Sequence, residues 1–217
     1  MKVILYGATG MVGQGVLREC LVDPEVEQVL ALGRRACGVE NPKLLEIVRP
    51  ELFDYSDIEH ELAGYDACFF CLGVSAAGMN EEQYTKITYE LTLAAAETLV
   101  KLNPNMTFIY VSGAGTDGTE QGRTMWARVK GKTENDLLKL PFKAAYMFRP
   151  ALIQPMHGIK SRTTAYRVGY AIAAPLFPVL KALFPRYVTT TEDVGRAMLR
   201  VAKQGHPNSI LENDDLR

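Results

Sequence analysis

The sequence has little of several things. Its 217 residues include one tryptophan, three histidines and four cysteines, and 24 Lys and Arg stand against 25 Asp and Glu. A net charge of −1 leaves no global cationic excess to hold a nucleic-acid backbone, so a dedicated nucleic-acid binder is excluded. Four cysteines make no disulfide framework in a chain of this length. Cys68 and Cys71 sit in the apolar run Ala67-Cys68-Phe69-Phe70-Cys71-Leu72, which reads as a buried strand. Positions three apart on a strand face opposite ways, so the two read as core thiols and no metal site is expected. The apolar stretch 168–184 is broken by Pro175 and Pro178 and carries Lys181. It falls short of the roughly 20 apolar residues a membrane helix needs, so membrane contact is not expected. No signal-peptide pattern accompanies Met1, and a reduced, cytoplasmic protein is the expectation.

What is present is a chain long enough for a substantial apolar core, with 47% hydrophobic residues. Charge is unevenly spread: residues 123–203 hold 15 Lys and Arg against 4 Asp and Glu, and the rest of the chain holds 9 against 21. Such an imbalance suits a cationic face for an anionic ligand or surface, or a solvated basic face. Short apolar runs at 2–6, 28–32, 44–48, 67–71, 107–112 and 144–148 alternate with helical patterns, the clearest at 10–22 and 81–102. Most runs are continuous, as in parallel strands covered on both faces. The pattern predicts an α/β Rossmann-type doubly wound parallel sheet with helices on both faces, forming a single domain over 1–217. Residues 151–217 are expected to add a small helical substrate-side cap, and to pair two subunits as a homodimer. Thr191-Glu192-Asp193 reads as a capped helix start running to about Lys203, and 209–211 as a final edge strand.

Gly7-Ala8-Thr9-Gly10-Met11-Val12-Gly13 follows the first strand and opens the first helix. Gly7 permits a tight turn, Gly10 lets a diphosphate approach the main chain, and Gly13 lets the helix pack close to the sheet. Dinucleotide binding at Gly7, Thr9, Gly10, Met11, Val12 and Gly13 is the reading, because strand, loop and helix agree. The second strand ends in Gly33-Arg34-Arg35. Arginine there can neutralise a 2'-phosphate, whereas an NAD site usually has an acid, so NADP(H) is favoured over NAD(H).

Together with Cys71-Leu72-Gly73, Ser112-Gly113-Ala114, Lys130 and Arg149-Pro150, these motifs resemble the short-chain dehydrogenase/reductase superfamily. The likeness is greatest to its atypical, epimerase-like branch, including the Tat-interacting-protein-like oxidoreductases. The resemblance implies that Phe53 and Asp54 lie beside the adenine, and Cys71, Leu72 and Gly73 against the ribose and pyrophosphate. It implies that Ser112 holds a substrate carbonyl, and that Pro150, Ala151 and Leu152 flank the nicotinamide. The family's catalytic Tyr and Lys lie four residues apart on one helix face. In this sequence the helical pattern 124–138 offers Lys130, preceded four residues earlier by Trp126, whose indole donates a hydrogen bond but does not titrate usefully. Lys130 then reads as a ribose ligand, and Trp126 as a ring that stacks on nicotinamide or substrate or simply packs. Tyr89, His157, Tyr166 and Tyr170 are candidate replacement proton donors. Two functions follow: an NADP(H)-dependent oxidoreductase or epimerase-like enzyme acting on a small carbonyl or alcohol, or a regulatory or partner-binding dinucleotide-binding module that has lost catalysis.

Overall fold

The computed structural model describes residues 1–159, 177 and 183–217. Seven parallel strands form the main sheet: β1 (Lys2–Tyr6), β2 (Gln28–Gly33), β3 (Leu44–Val48), β4 (Ala67–Phe70), β5 (Thr107–Val111), β6 (Ala144–Arg149) and β9 (Ile210–Glu212). Their spatial order is β3-β2-β1-β4-β5-β6-β9. A separate parallel pair joins β7 (Leu152–Gln154) to β8 (Val188–Thr190). The expected doubly wound sheet is therefore observed. The continuous apolar runs are continuous because both faces are covered: Val3, Ile4, Leu5 and Tyr6 are all fully buried. Each contributes about 1.5–3 kcal/mol by leaving water.

One face is covered by α1 (Met11–Val22) and α6 (Thr191–Gln204), which share a core with Val3, Leu5 and Phe69. The other is covered by α2 (Glu59–Leu62), α4 (Leu91–Leu102) and α5 (Met125–Leu137), around Ile4, Tyr6, Phe70 and Phe108. Helices α1 and α6 approach at glycines: a side chain on Gly15 would lie 2.6 Å from the Thr191 backbone. The last third of the chain is thus more than a cap, since α6 completes a layer and β9 extends the sheet beside β6. The broken helices expected within 162–184, their pairing with a second subunit, and Tyr166 and Tyr170 lie largely or wholly outside the described residues.

Two details differ from expectation. The hydroxyl that caps α6 belongs to Thr190, not Thr191: Thr190 Oγ1 accepts from the Asp193 N–H at 2.9 Å, and the Thr190 N–H donates back to the Asp193 carboxylate. The capping box sits one residue earlier because Asp193, not Val194, supplies the reciprocal acid. The helix expected over 81–102 is interrupted by a π turn at Lys86–Glu90 between α3 (Glu81–Thr85) and α4. That wide turn carries Tyr89, whose hydroxyl donates to the Asp136 carboxylate of α5 at 2.8 Å.

Candidate functional site

The chain runs from β1 outward to β2 and β3, then returns to place β4 on the other side of β1. At that reversal the loops after β1 and β4 diverge and leave a crevice at the strands' carboxyl ends, where open parallel sheets bind ligands. A cavity of about 600 Å³ occupies it, lined by residues 7–12, 31–35 and 71–75 with Cys37, Val111 and Lys130. A second hollow of about 470 Å³ adjoins Lys2, Gln28 and Tyr65, near the amino ends of β1 and β2. It lies away from the carboxyl ends and from the glycine loop.

The loop's geometry is forced by missing side chains. Gly7 has φ +75, and a Cβ on it would lie 2.6 Å from the Leu72 nitrogen. A Cβ on Gly13 would lie 2.1 Å from the Gly7 carbonyl oxygen. Gly10 N–H closes the turn onto that same oxygen at 2.8 Å. Gly10 is also the N-cap of α1, and no side chain caps it. The first helical bond is made by Gln14 N–H to the Gly10 carbonyl. The N–H groups of Met11, Val12 and Gly13 precede it and open at the positive end of the helix dipole. A pyrophosphate fits this cradle, because it needs several converging donors, little side-chain bulk and a favourable dipole.

At the β2 end, Arg34 and Arg35 line the cavity, are exposed, and form no ion pair among the described residues. At the β5 end the lining is Val111 and Lys130. Lys130 Nζ donates to the Ser112 carbonyl. Burial pulls its pKa down to about 8, with the nearby Glu134 carboxylate opposing the fall. The unfolded lysine titrates near 10.4. Between about 8 and about 10.4 the unfolded chain binds the extra proton, so stability rises with pH across that window, and below it the buried charge is a cost. Lys130→Met is therefore expected to raise stability at pH 7 by on the order of 1 kcal/mol, discounted for partial exposure. The gain should shrink as pH climbs past 8; thermal melts at pH 7 and pH 9.5 measure it.

The structure brings Gly7, Thr9, Gly10, Met11, Val12, Arg34, Arg35, Cys71, Leu72, Gly73 and Lys130 to one cavity. Gly13 stands immediately behind the loop. Phe53 and Asp54 are outside the lining; Asp54 accepts from Ser56 N–H at 2.9 Å, which holds its carboxyl below the usual range. The Ser112 hydroxyl is buried, donates to the Phe148 carbonyl at 3.1 Å and is not part of the cavity lining. Pro150 accepts from Ala114 N–H, Ala151 N–H donates to Asn213, and Leu152 pairs with Val188 in the small sheet. Of the three, Pro150 braces the loop after β5, and none of them lines the cavity. Trp126 lies in the first turn of α5, one turn before Lys130, its ring 3.5 Å from where a side chain on Gly115 would be.

Two of the candidate proton donors are engaged elsewhere. Tyr89 is bound to Asp136; burial first, and then that bond, push its pKa up to about 12, and Lys132 Nζ lies 4.7 Å from its ring centroid. His157 pairs with Glu192 at 2.7 Å. With the buried Glu19 these form a compact acid–histidine group, but Arg18 and Arg196 already occupy the Glu19 carboxylate. Cys68 is buried in the core and Cys71 reaches the cavity; burial raises both thiol pKa values, as expected of unreactive thiols.

A family model described as NAD(P)H-binding matches residues 7–139, more than half of the chain. "Protein FMP52, mitochondrial" of Meyerozyma guilliermondii is 26% identical over 208 residues, covering 93% of this chain and 85% of that protein. Protein HTATIP2 of Rattus norvegicus is 26% identical over 155 residues, 70% of this chain and 62% of that protein. Among solved structures, an oxidoreductase of the short chain dehydrogenase/reductase family from Burkholderia thailandensis superposes with a TM-score of 0.71 at 17% identity. It covers 99% of this chain and 92% of that one, and shows the shared fold. The resemblance to an atypical short-chain dehydrogenase/reductase-like family holds. The expectation of a cytoplasmic protein does not, because relatives matching nearly the whole chain carry "mitochondrial" in their names. The signal-peptide test behind that expectation does not address organelle import.

Proposed function

Because this chain belongs to the NAD(P)H-binding family, with a short-chain dehydrogenase/reductase-like fold, we propose that it is an oxidoreductase that prefers NADP(H) to NAD(H) and acts on a small carbonyl or alcohol. The observation that carries the cofactor preference is the pair of exposed arginines at the end of β2, in the cavity wall and without acidic partners among the described residues. A 2'-phosphate would take charge-assisted hydrogen bonds from Arg34 and Arg35, while a free 2'-hydroxyl would find no acid to accept from it. In this reading Gly10, Met11 and Val12 hold the pyrophosphate, Cys71 to Gly73 wall the adenosine ribose, and Lys130 meets the nicotinamide ribose. When bound, the reduced nicotinamide supplies a hydride. The protein's residues orient the substrate and handle the proton.

Arg34→Glu is expected to weaken NADPH binding roughly 30-fold, about 2 kcal/mol, while leaving NADH within about threefold. Fluorescence titration with each nucleotide measures it, and equal losses for both would defeat the assignment. A second reading, a binding module without turnover, is favoured by Trp126 at the tyrosine position. Trp126→Tyr separates the two: a large gain in carbonyl reduction marks a lapsed site, and loss of an existing activity marks an indole with a role.

A further inference from the structure

The cavity wall offers few groups that can exchange a proton near neutral pH. Among the described lining residues they are Lys130, Cys37 and Cys71, because arginine stays charged. Cys37 follows Arg34 and Arg35 at the β2 end, and burial holds the Cys71 thiol protonated. At the β5 end, where the family resemblance puts the reacting carbons, Lys130 stands beside Val111. Its ammonium has three donors and spends one on the Ser112 carbonyl. Trp126, one turn earlier, cannot supply a proton. Ser112, Tyr89 and His157 are turned to Phe148, Asp136 and Glu192 respectively.

We propose that Lys130 itself is the catalytic acid and base of this site, giving a proton directly to the substrate oxygen where no phenol stands among the described lining residues. The proposal rests on the oxidoreductase reading. In the reductive direction the carbonyl carbon accepts a hydride, with its electron pair, from reduced nicotinamide. The C=O π pair moves to oxygen, and Nζ gives that oxygen a proton. The carbonyl is reduced to an alcohol, the nicotinamide is oxidised, and the neutral amine regains its proton from water. Alcohol oxidation runs the same transfers in reverse, with the neutral amine as base.

The charged surroundings of Nζ are few. Glu134 lies one turn further along α5 and is itself clamped by Arg149 of β6. On the side of α5 facing α3 and the π turn, Arg128 is paired with Glu81, and Asp136 with Tyr89 and Lys139. No other carboxylate affects Nζ appreciably among the described residues, and burial outweighs Glu134, which leaves the amine able to cycle near pH 8.

Lys130→Arg tests the proposal in the full chain, since guanidinium keeps the charge and donors but does not release a proton. NADPH affinity by fluorescence titration should stay within about threefold, while hydride transfer falls roughly 100-fold. In the unaltered protein, reduction should decline tenfold per pH unit above about 8 and oxidation should decline below it. A ¹⁵N-lysine titration of the protein without nucleotide should show Nζ titrating in the same range. An arginine variant that retains a third or more of the turnover would overturn the proposal. So would a pH limb that disappears in Tyr166→Phe or Tyr170→Phe. Tight NADPH binding with no turnover on a carbonyl panel overturns it and leaves the cofactor site standing; no binding at all overturns the reading beneath it.

Discussion

Gly13→Val is expected to weaken nucleotide binding severely and to lower the melting temperature. A Cβ at that position lies 2.1 Å from the Gly7 carbonyl oxygen and 2.7 Å from its carbon, both backbone atoms that cannot swing aside. Either α1 lifts from the loop or the loop opens, and in both cases the amides of Met11 and Val12 no longer converge. Lost donors and lost dipole alignment together should cost roughly 1,000-fold in affinity, about 4 kcal/mol. Overpacking should destabilise the fold by about 1–3 kcal/mol, which lowers the melting temperature by roughly 2–12 °C in a chain of this size. Calorimetric titration and a thermal melt read the two effects separately. Unchanged NADPH affinity in a folded Gly13→Val protein would mean that the loop does not hold the pyrophosphate.

Glu134→Ala is expected to cost about 3–5 kcal/mol of stability. The Glu134 carboxylate is almost wholly buried and takes two bonds from Arg149, Nε at 3.0 Å and Nη2 at 2.5 Å, while Nη1 reaches Glu212 at 3.1 Å. The clamp ties α5 to β6 and β9, and removing the acid leaves a largely buried guanidinium with only its longer contact to the exposed Glu212. Replacing both partners, Glu134→Leu with Arg149→Met, should recover most of the loss, because two apolar groups avoid the desolvation that two charges incur. Denaturant unfolding of the single and double variants measures this, and a single-variant loss below about 1 kcal/mol would show the clamp to be unimportant. The milder Glu134→Gln carries a functional consequence. Glu134 opposes the fall in the Lys130 pKa, so its neutralisation should move the alkaline limit of reduction to lower pH.

The sheet was legible because its strands are read by hydrophobic continuity, a signal that burial on both faces makes strong. The six main strands fall within a residue of their expected ends, and β9 is displaced by one. The glycine loop was legible because steric exclusion, at Gly7 and Gly13 above all, is written in residue identity. Side-chain direction was not. Nothing in the sequence tells that the Ser112 hydroxyl turns inward to Phe148, or that Asp54 caps its own turn, since both depend on which backbone groups the fold leaves unpaired. The π turn also escaped, because a single extra residue barely disturbs a 3.6-residue period over 22 positions. The shift of the α6 cap from Thr191 to Thr190 is a choice among three consecutive threonines, which the Asp193 reciprocal bond decides.

Isothermal titration of NADPH into the unaltered full chain is the most direct measurement of all. One saturable site per chain with a Kd in the micromolar range, about −8 kcal/mol, is expected, with NADH at least tenfold weaker. No heat at millimolar nucleotide would contradict the assignment of the β1–α1 turn as a pyrophosphate site.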